Sequence, residues 1–243
     1  MAHGREDWAG TAQISGLWGV SDLGELAARL GTLSTLDRRG NVAWADGFEN
    51  GLGPWQSETV GAGATVKLTG NNAYAGGLAA LLTGGSDSTR RANIYKTYLL
   101  PAIVKIGLEC MVSVITTDVD YFQVQLRYTI GGVQRNAKLI LDITNTLFKV
   151  LDTAGNIIYS RTLSDRLFNA VTYHLLKIVI DISKHTLIRA SFDELDIDLE
   201  EVANPAGTAD TKLGMLIGCY CFSNVGVNGQ CKVDNVILTY NEP

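Results

Sequence analysis

The stretch DYFQVQLRYTI, residues 120–130, decides the fold class. Phe122, Val124, Leu126 and Tyr128 alternate with Tyr121, Gln123, Gln125 and Arg127, and a period of two residues sends the two sets to opposite faces of a strand. Outward from it the same kind of segment recurs in both directions. Upstream lie ATVKLTG, GLAALLTG, RRANIYKTYLL and IVKIGLECMVSVIT, and downstream QRNAKLILDIT, TLFKVLDT, NIIYSRTL, TYHLLKIVIDIS, HTLIRASF, TKLGMLIGCYCF and CKVDNVILTY. About a dozen strands, joined by GG, AG, ISKH and NG turns, predict an all-β antiparallel sandwich or barrel and not alternating βα units. LLPAIVKIG reads as the start of a strand, because Pro101 and the β-branched residues disfavour a helix.

Composition agrees with a folded, turn-rich chain. In 243 residues, 46% are hydrophobic, 19% are charged and 26 are glycine, while four prolines are too few for a Pro-rich linker. The net charge of −5, with no basic segment, argues against a nucleic-acid binder. MAHGREDWAG is polar where a secretory signal needs a basic start and an apolar run, and no later run reaches the roughly 18 apolar residues of a membrane span, so synthesis in a cytoplasm without membrane insertion is expected.

Residues 1–40 read differently from the rest. MAHGREDWAGTAQISGLWGV has neither helical nor strand periodicity and carries Trp8, Leu17 and Trp18, which need a surface to cover them. SDLGELAARLG follows, with Ser21 or Asp22 as N-cap, Leu23, Leu26 and Leu30 on one helical stripe, and Gly31 as C-cap. The predicted organisation is an N-terminal arm and short helix over 1–40, for attachment or oligomerisation, then a sandwich domain over 41–243.

Chemistry-bearing motifs are sparse. His3, His174 and His185 form no HxH or HExxH pattern, and neither GxSxG nor GxxxxGK[ST] occurs. Cys110 reads as a buried thiol in an apolar strand. Alternation puts Cys219 and Cys221 on one face, and a hairpin through SNVGVNGQ would bring Cys231 opposite them; a disulfide and a zinc site are the other readings, though CxC plus one distant Cys lacks a fourth zinc ligand. In SFDELDIDLEEV, Glu194, Asp196 and Asp198 share a face but miss the paired-carboxylate spacing that laminarinase-like glycosidases carry on such a strand, and a solvated strand edge is the plainer reading.

DGFENGLGPW at 46–55, followed by a GxATVKLT strand and closed by VDNVILT, resembles the β-jelly-roll carbohydrate-binding modules and their concanavalin A-like relatives. The resemblance implies a jelly-roll sandwich with its first and last strands close together. It also implies a structural calcium held by Glu49 and Asp234 with backbone carbonyls; without a metal, the same carboxylates would satisfy turn amides while Phe48 and Trp55 join the core. Glycan binding on such a sandwich implicates Tyr121, Gln123, Gln125 and Arg127 along one side of their strand, with Trp55 as a platform after its Gly-Pro turn. An ordinary wet sheet face is the competing reading.

MAHGREDW, the GELAARLG helix and TLDRRGNVAWADGFENG leading into a jelly roll resemble structural proteins of tailed bacteriophages. That resemblance implies a non-enzymatic capsid or tail decoration protein on the virion surface, made in the host cytoplasm. Trp8, Leu17, Trp18, Leu23, Leu26 and Leu30 would fasten it to other virion subunits or to copies of itself, a trimer among the options, and it would adhere weakly to a cell-surface glycan. A carbohydrate-binding module is the alternative, and a laminarinase-like glycosidase the third.

Overall fold

The computed structural model describes residues 39–87, 90–99, 104–163, 171–211 and 214–243. The helix expected at 21–31 and the side chains Trp8, Leu17, Trp18, Leu23, Leu26 and Leu30 lie outside these residues. Fifteen strands run through the described chain: β1 (Asn41–Asp46), β2 (Gln56–Val60), β3 (Thr65–Thr69), β4 (Ala79–Thr83), β5 (Arg91–Tyr98), β6 (Lys105–Val114), β7 (Val119–Ile130), β8 (Val133–Asp142), β9 (Leu147–Leu151), β10 (Ile157–Thr162), β11 (His174–Asp181), β12 (Thr186–Phe192), β13 (Leu195–Ala203), β14 (Gly214–Ser223) and β15 (Gln230–Tyr240).

They form two antiparallel sheets. The first has the order β13-β12-β11-β6-β15-β4-β3, with β1 also paired to β15, and the second has the order β10-β9-β8-β7-β14-β5-β2. The core lies between them, where Phe122, Val124, Leu126 and Tyr128 of β7 are fully buried with Leu108, Val112, Leu176 and Ile178 of the first sheet. Alternation gives strands such as β9 and β13 one face to bury, whereas β6, β11 and β15 are buried along nearly their whole length on both faces.

All twelve segments that read as strands are strands. Three more complete the set: β13 is the acidic stretch read as a solvated strand edge, while β1 and β2 have weak patterns, QSETV being an exposed polar edge strand with no apolar alternation and NVAWAD a half-buried strand containing Asn, Ala and Asp. β1 nevertheless pairs with β15, Asp46 facing Val236 and Ala45 facing Ile237, so the first and last strands are neighbours. A register shift between Asp234 and Ile237 and a positive φ of 45° at Asn235 mark a bulge in β15. On its N-terminal side β15 meets β4, and on its C-terminal side β1.

The expected SNVGVNGQ hairpin is corrected by the topology. Cys221 lies in β14 of the second sheet and Cys231 in β15 of the first, so the connection crosses the sandwich. All four cysteines are free and buried. The Cys110 thiol interacts with Cys219 and the Cys231 thiol with Cys221, two pairs facing each other across the core.

Candidate functional site

The outward face of the second sheet follows from strand register. Because Phe122, Val124 and Cys219 point inward, Tyr121, Gln123, Gln125 and Arg127 of β7 and Leu216, Gly218, Tyr220 and Phe222 of β14 share the outside. Tyr121 faces Phe222, Gln123 faces Tyr220, Gln125 faces Gly218 and Arg127 faces Leu216. On the far side of β14, Gly218 faces Tyr95 and Tyr220 faces Asn93. On the far side of β7, Gln125 faces Lys138 and Arg127 faces Asn136.

Four aromatic rings therefore gather around one polar strip. Tyr121 and Phe222 stack with centroids 4.2 Å apart and planes 19° apart, and Tyr220 continues the row at 6.4 Å and 20° from Phe222. Tyr220, Phe222, Tyr121 and Tyr95 are all partly exposed. The glutamines between them are ordered, with Gln123 Nε2 donating to Gln125 Oε1 (3.2 Å) and Gln125 Nε2 donating to Asn136 Oδ1 (2.8 Å). At 8% and 9% exposure, Gln123 and Gln125 are packed side chains and not a freely solvated face. Burial pushes the Tyr220 hydroxyl above its usual range, against the opposing charges of Arg127 and Arg91. An open groove of about 320 Å³ continues the strip, lined by Gln56, Tyr95, Thr97, Arg127, Asp210 and Leu216.

The sequence reading placed Tyr121, Gln123, Gln125 and Arg127 on one face, and the structure puts them there together. It missed Tyr95, Tyr220 and Phe222. The signal for two of these was present: once Cys219 and Cys221 share a face, Tyr220 and Phe222 must share the other.

Trp55 is corrected. It is not a platform: it is 7% exposed, its ring stacks on Phe48 at 5.7 Å, and its Nε1 donates to Asp46 Oδ2 at 2.7 Å. Asp46 Oδ1 also accepts from Phe48 N at 2.8 Å, which holds Phe48 at a positive φ of 64°. One aspartate thus folds the DGFENGLGPW turn over its own aromatics, placing an indole whose N–H needs an acceptor when buried.

Glu49 and Asp234 are brought to the same loop. Glu49 Oε1 accepts from Gly77 N (2.7 Å) and Leu78 N (2.8 Å), and Asp234 Oδ2 accepts from Tyr74 N (2.8 Å) and Ala75 N (3.2 Å). Asp234 is fully buried, and burial pushes its carboxyl up to about 6, with Glu49 adding to the effect. The amide role is therefore visible. Among the described residues Glu49 Oε2 accepts no hydrogen bond and no third acidic, His or Cys side chain joins the pair; two hard carboxylates that repel each other also suit calcium in charge and ligand chemistry, and carbonyls and water would complete the six to eight ligands calcium takes.

The acidic stretch lies elsewhere. β13 is an edge strand of the first sheet, so Glu194, Asp196 and Asp198 are not joined to the aromatic face. Asp196 pairs with Arg39 at 2.8 Å and accepts from Ser191, while Asp198 accepts from Glu200 N. His174 contacts Asp193 and His185 stacks on Tyr128, each a local packing role.

No protein-family model and no curated protein matches the sequence. Solved structures do match. The carbohydrate recognition domain of Emp47p is matched at a TM-score of 0.56 and 11% identity, covering 84% of this chain and 98% of that one. An endo-β-1,4-glucuronan lyase from the fungus Trichoderma reesei is matched at 0.56 and 14%, covering 83% and 96%. The cellulose induced protein Cip1 is matched at 0.55 and 10%, covering 81% and 96%. At these identities the likeness shows the fold: an antiparallel two-sheet β-sandwich of the jelly-roll, lectin-like type.

Proposed function

We propose that the chain binds a glycan on the outer face of its second sheet, without catalysis. The observation that carries this reading is the row of Tyr121, Phe222 and Tyr220 beside the ordered Gln123–Gln125–Asn136 amides. Flat rings offer a sugar its apolar face, and fixed amides offer its hydroxyls both donors and acceptors. Asn93 Oδ1, buried next to Tyr220 with no donor among the described residues, adds an acceptor that a hydroxyl or a water would satisfy. The fold shared with the Emp47p carbohydrate recognition domain supports the reading.

A virion-decoration role draws no support from the comparisons. Its proposed carriers, Trp8 through Leu30, lie outside the described residues. The test of the binding reading is a glycan array followed by affinity electrophoresis on the parent, Tyr220→Ala and Tyr121→Ala. Retention of a glycan by the parent, weakened at least tenfold by Tyr220→Ala with the unfolding midpoint preserved, is the expected result. Variants that bind as the parent does would place the site elsewhere, and a parent that retains nothing would remove the reading.

A further inference from the structure

The charges on the aromatic face are not balanced. Among the described residues four cationic side chains stand on it, and two have carboxylate partners: Arg91 pairs with Glu58 at 2.8 Å and Lys149 with Asp142 at 2.6 Å. Arg127 and Lys138 make no hydrogen bond or ion pair among the described residues. Their register makes them diagonal neighbours, since Arg127 faces Asn136 while Lys138 faces Gln125 on the same strand pair. Diagonal positions lie roughly 7–8 Å apart at the backbone, within reach for long side chains, and like charges there repel. Both are partly buried, which reduces the screening water supplies.

The amide ladder points the same way. Because Gln125 Nε2 donates to Asn136 Oδ1, the Asn136 amide nitrogen is left as a further donor, directly across from Arg127. By register, a guanidinium, an ammonium and an amide N–H₂ thus occupy neighbouring positions of one face, and none of the three donates to an acceptor among the described residues. Asp210, which lines the adjoining groove with Arg127, accepts from Thr129 Oγ1 at 3.2 Å and forms no ion pair with Arg127. In a chain of net charge −5, this is a local cationic spot on an acidic background.

We propose that the glycan held on this face is acidic, with a carboxylate or sulfate seated between Arg127, Lys138 and Asn136. This rests on the binding reading above and names its ligand class. The planar guanidinium fork fits a pair of anionic oxygens, the lysine adds a second charge, and bringing an anion between them removes the repulsion that the free face carries. The neutral part of the sugar then lies over Tyr220 and Tyr95.

The experiment compares the full chain on polygalacturonate, on the same polymer fully methyl-esterified, on dextran sulfate and on dextran, at low and moderate salt. The parent is expected to hold an acidic polymer at least tenfold more tightly than its neutral counterpart. Arg127→Gln and Lys138→Gln should each erase most of that preference with an unchanged fluorescence unfolding midpoint, and Arg127→Lys should restore only part of it. Retention of polygalacturonate assigns the anion as a carboxylate, and retention of dextran sulfate alone assigns it as a sulfate ester. Equal binding of acidic and neutral polymers, lost in Tyr220→Ala, would overturn the acidic assignment and leave the binding face standing. An acidic preference that survives both glutamine variants would overturn it too. Retention of none of these polymers would overturn the acidic assignment, and the glycan array above then decides the binding reading by itself.

Discussion

The ring of Tyr220 rests on Gly218: a Cβ placed at residue 218 would come 2.9 Å from a ring carbon and 3.1 Å from the hydroxyl oxygen. The missing side chain at 218 therefore sets the tilt of the Tyr220 ring on the proposed glycan-binding face. Gly218→Ala should leave the sandwich folded, because alanine fits a strand, and should change stability by no more than about 1 kcal/mol. It should lift Tyr220 and weaken glycan binding severalfold. Parallel measurement of affinity and denaturation midpoint checks this, and an unchanged affinity would show that the ring's tilt does not matter to the ligand.

Asp46 provides a stability prediction independent of any ligand. Its two oxygens hold Phe48 N and Trp55 Nε1, and both aromatic side chains are buried. Asp46→Ala leaves a buried indole N–H and a turn amide without acceptors, a loss of about 2–4 kcal/mol at ~1–3 kcal/mol per orphaned group with partial rehydration. Asp46→Asn keeps one acceptor oxygen and should lose about half as much. Guanidinium unfolding followed by tryptophan fluorescence reads both, and equal midpoints for parent and Asp46→Ala would show that the turn is held by its aromatics alone.

These two sites show what the sequence carries and what it does not. Alternation is local, so the facing of Tyr121, Gln123, Gln125 and Arg127 is readable from β7 itself, as is the inward pair Cys219 and Cys221. Register between strands is not local. That Tyr220 sits beside Gln123, or Lys138 diagonal to Arg127, depends on which of fifteen strands lie side by side and by how many residues they slide. Trp55 was ambiguous for a related reason, because only the position of the Asp46 carboxylate reveals that the indole turns inward. The SNVGVNGQ connection has hairpin chemistry but crosses between sheets, since the strands it joins each pair with other partners.

The four thiols should be silent in the native state. Cys110, Cys219, Cys221 and Cys231 are each at most 1% exposed. The Cys219 thiol, then burial, raises Cys110, while burial, then the Cys221 thiol, raises Cys231. A thiolate is the reactive species, so both access and ionisation oppose reaction. A colorimetric thiol reagent at pH 8 is expected to titrate none of the four in the folded protein within minutes, and all four in guanidinium. A thiol that reacts at the rate of a free cysteine without denaturant would mean that the sandwich opens locally at β14.

Calcium at Glu49 and Asp234 is the remaining proposal from the jelly-roll resemblance, and its readout is thermal stability. Amides already hold both carboxylates, so the loop from Tyr74 to Leu78 has a reason to be ordered without metal. What the amides leave is one Glu49 oxygen without a hydrogen bond among the described residues and a Glu49 charge that raises the cost of ionising Asp234, and a divalent cation relieves both. A ligand that binds only the folded state stabilises by about 2.7 kcal/mol at a hundredfold excess over its Kd. For a chain of this size that is a rise in Tm of roughly 5–10 °C. The parent in millimolar calcium should therefore melt several degrees above the same protein in chelator, magnesium should do less because it demands a tighter octahedral shell, and Asp234→Asn should abolish the difference. If parent and Asp234→Asn melt alike with and without calcium, the two acids are amide acceptors only, and the clasp is held by hydrogen bonds from the loop it fastens.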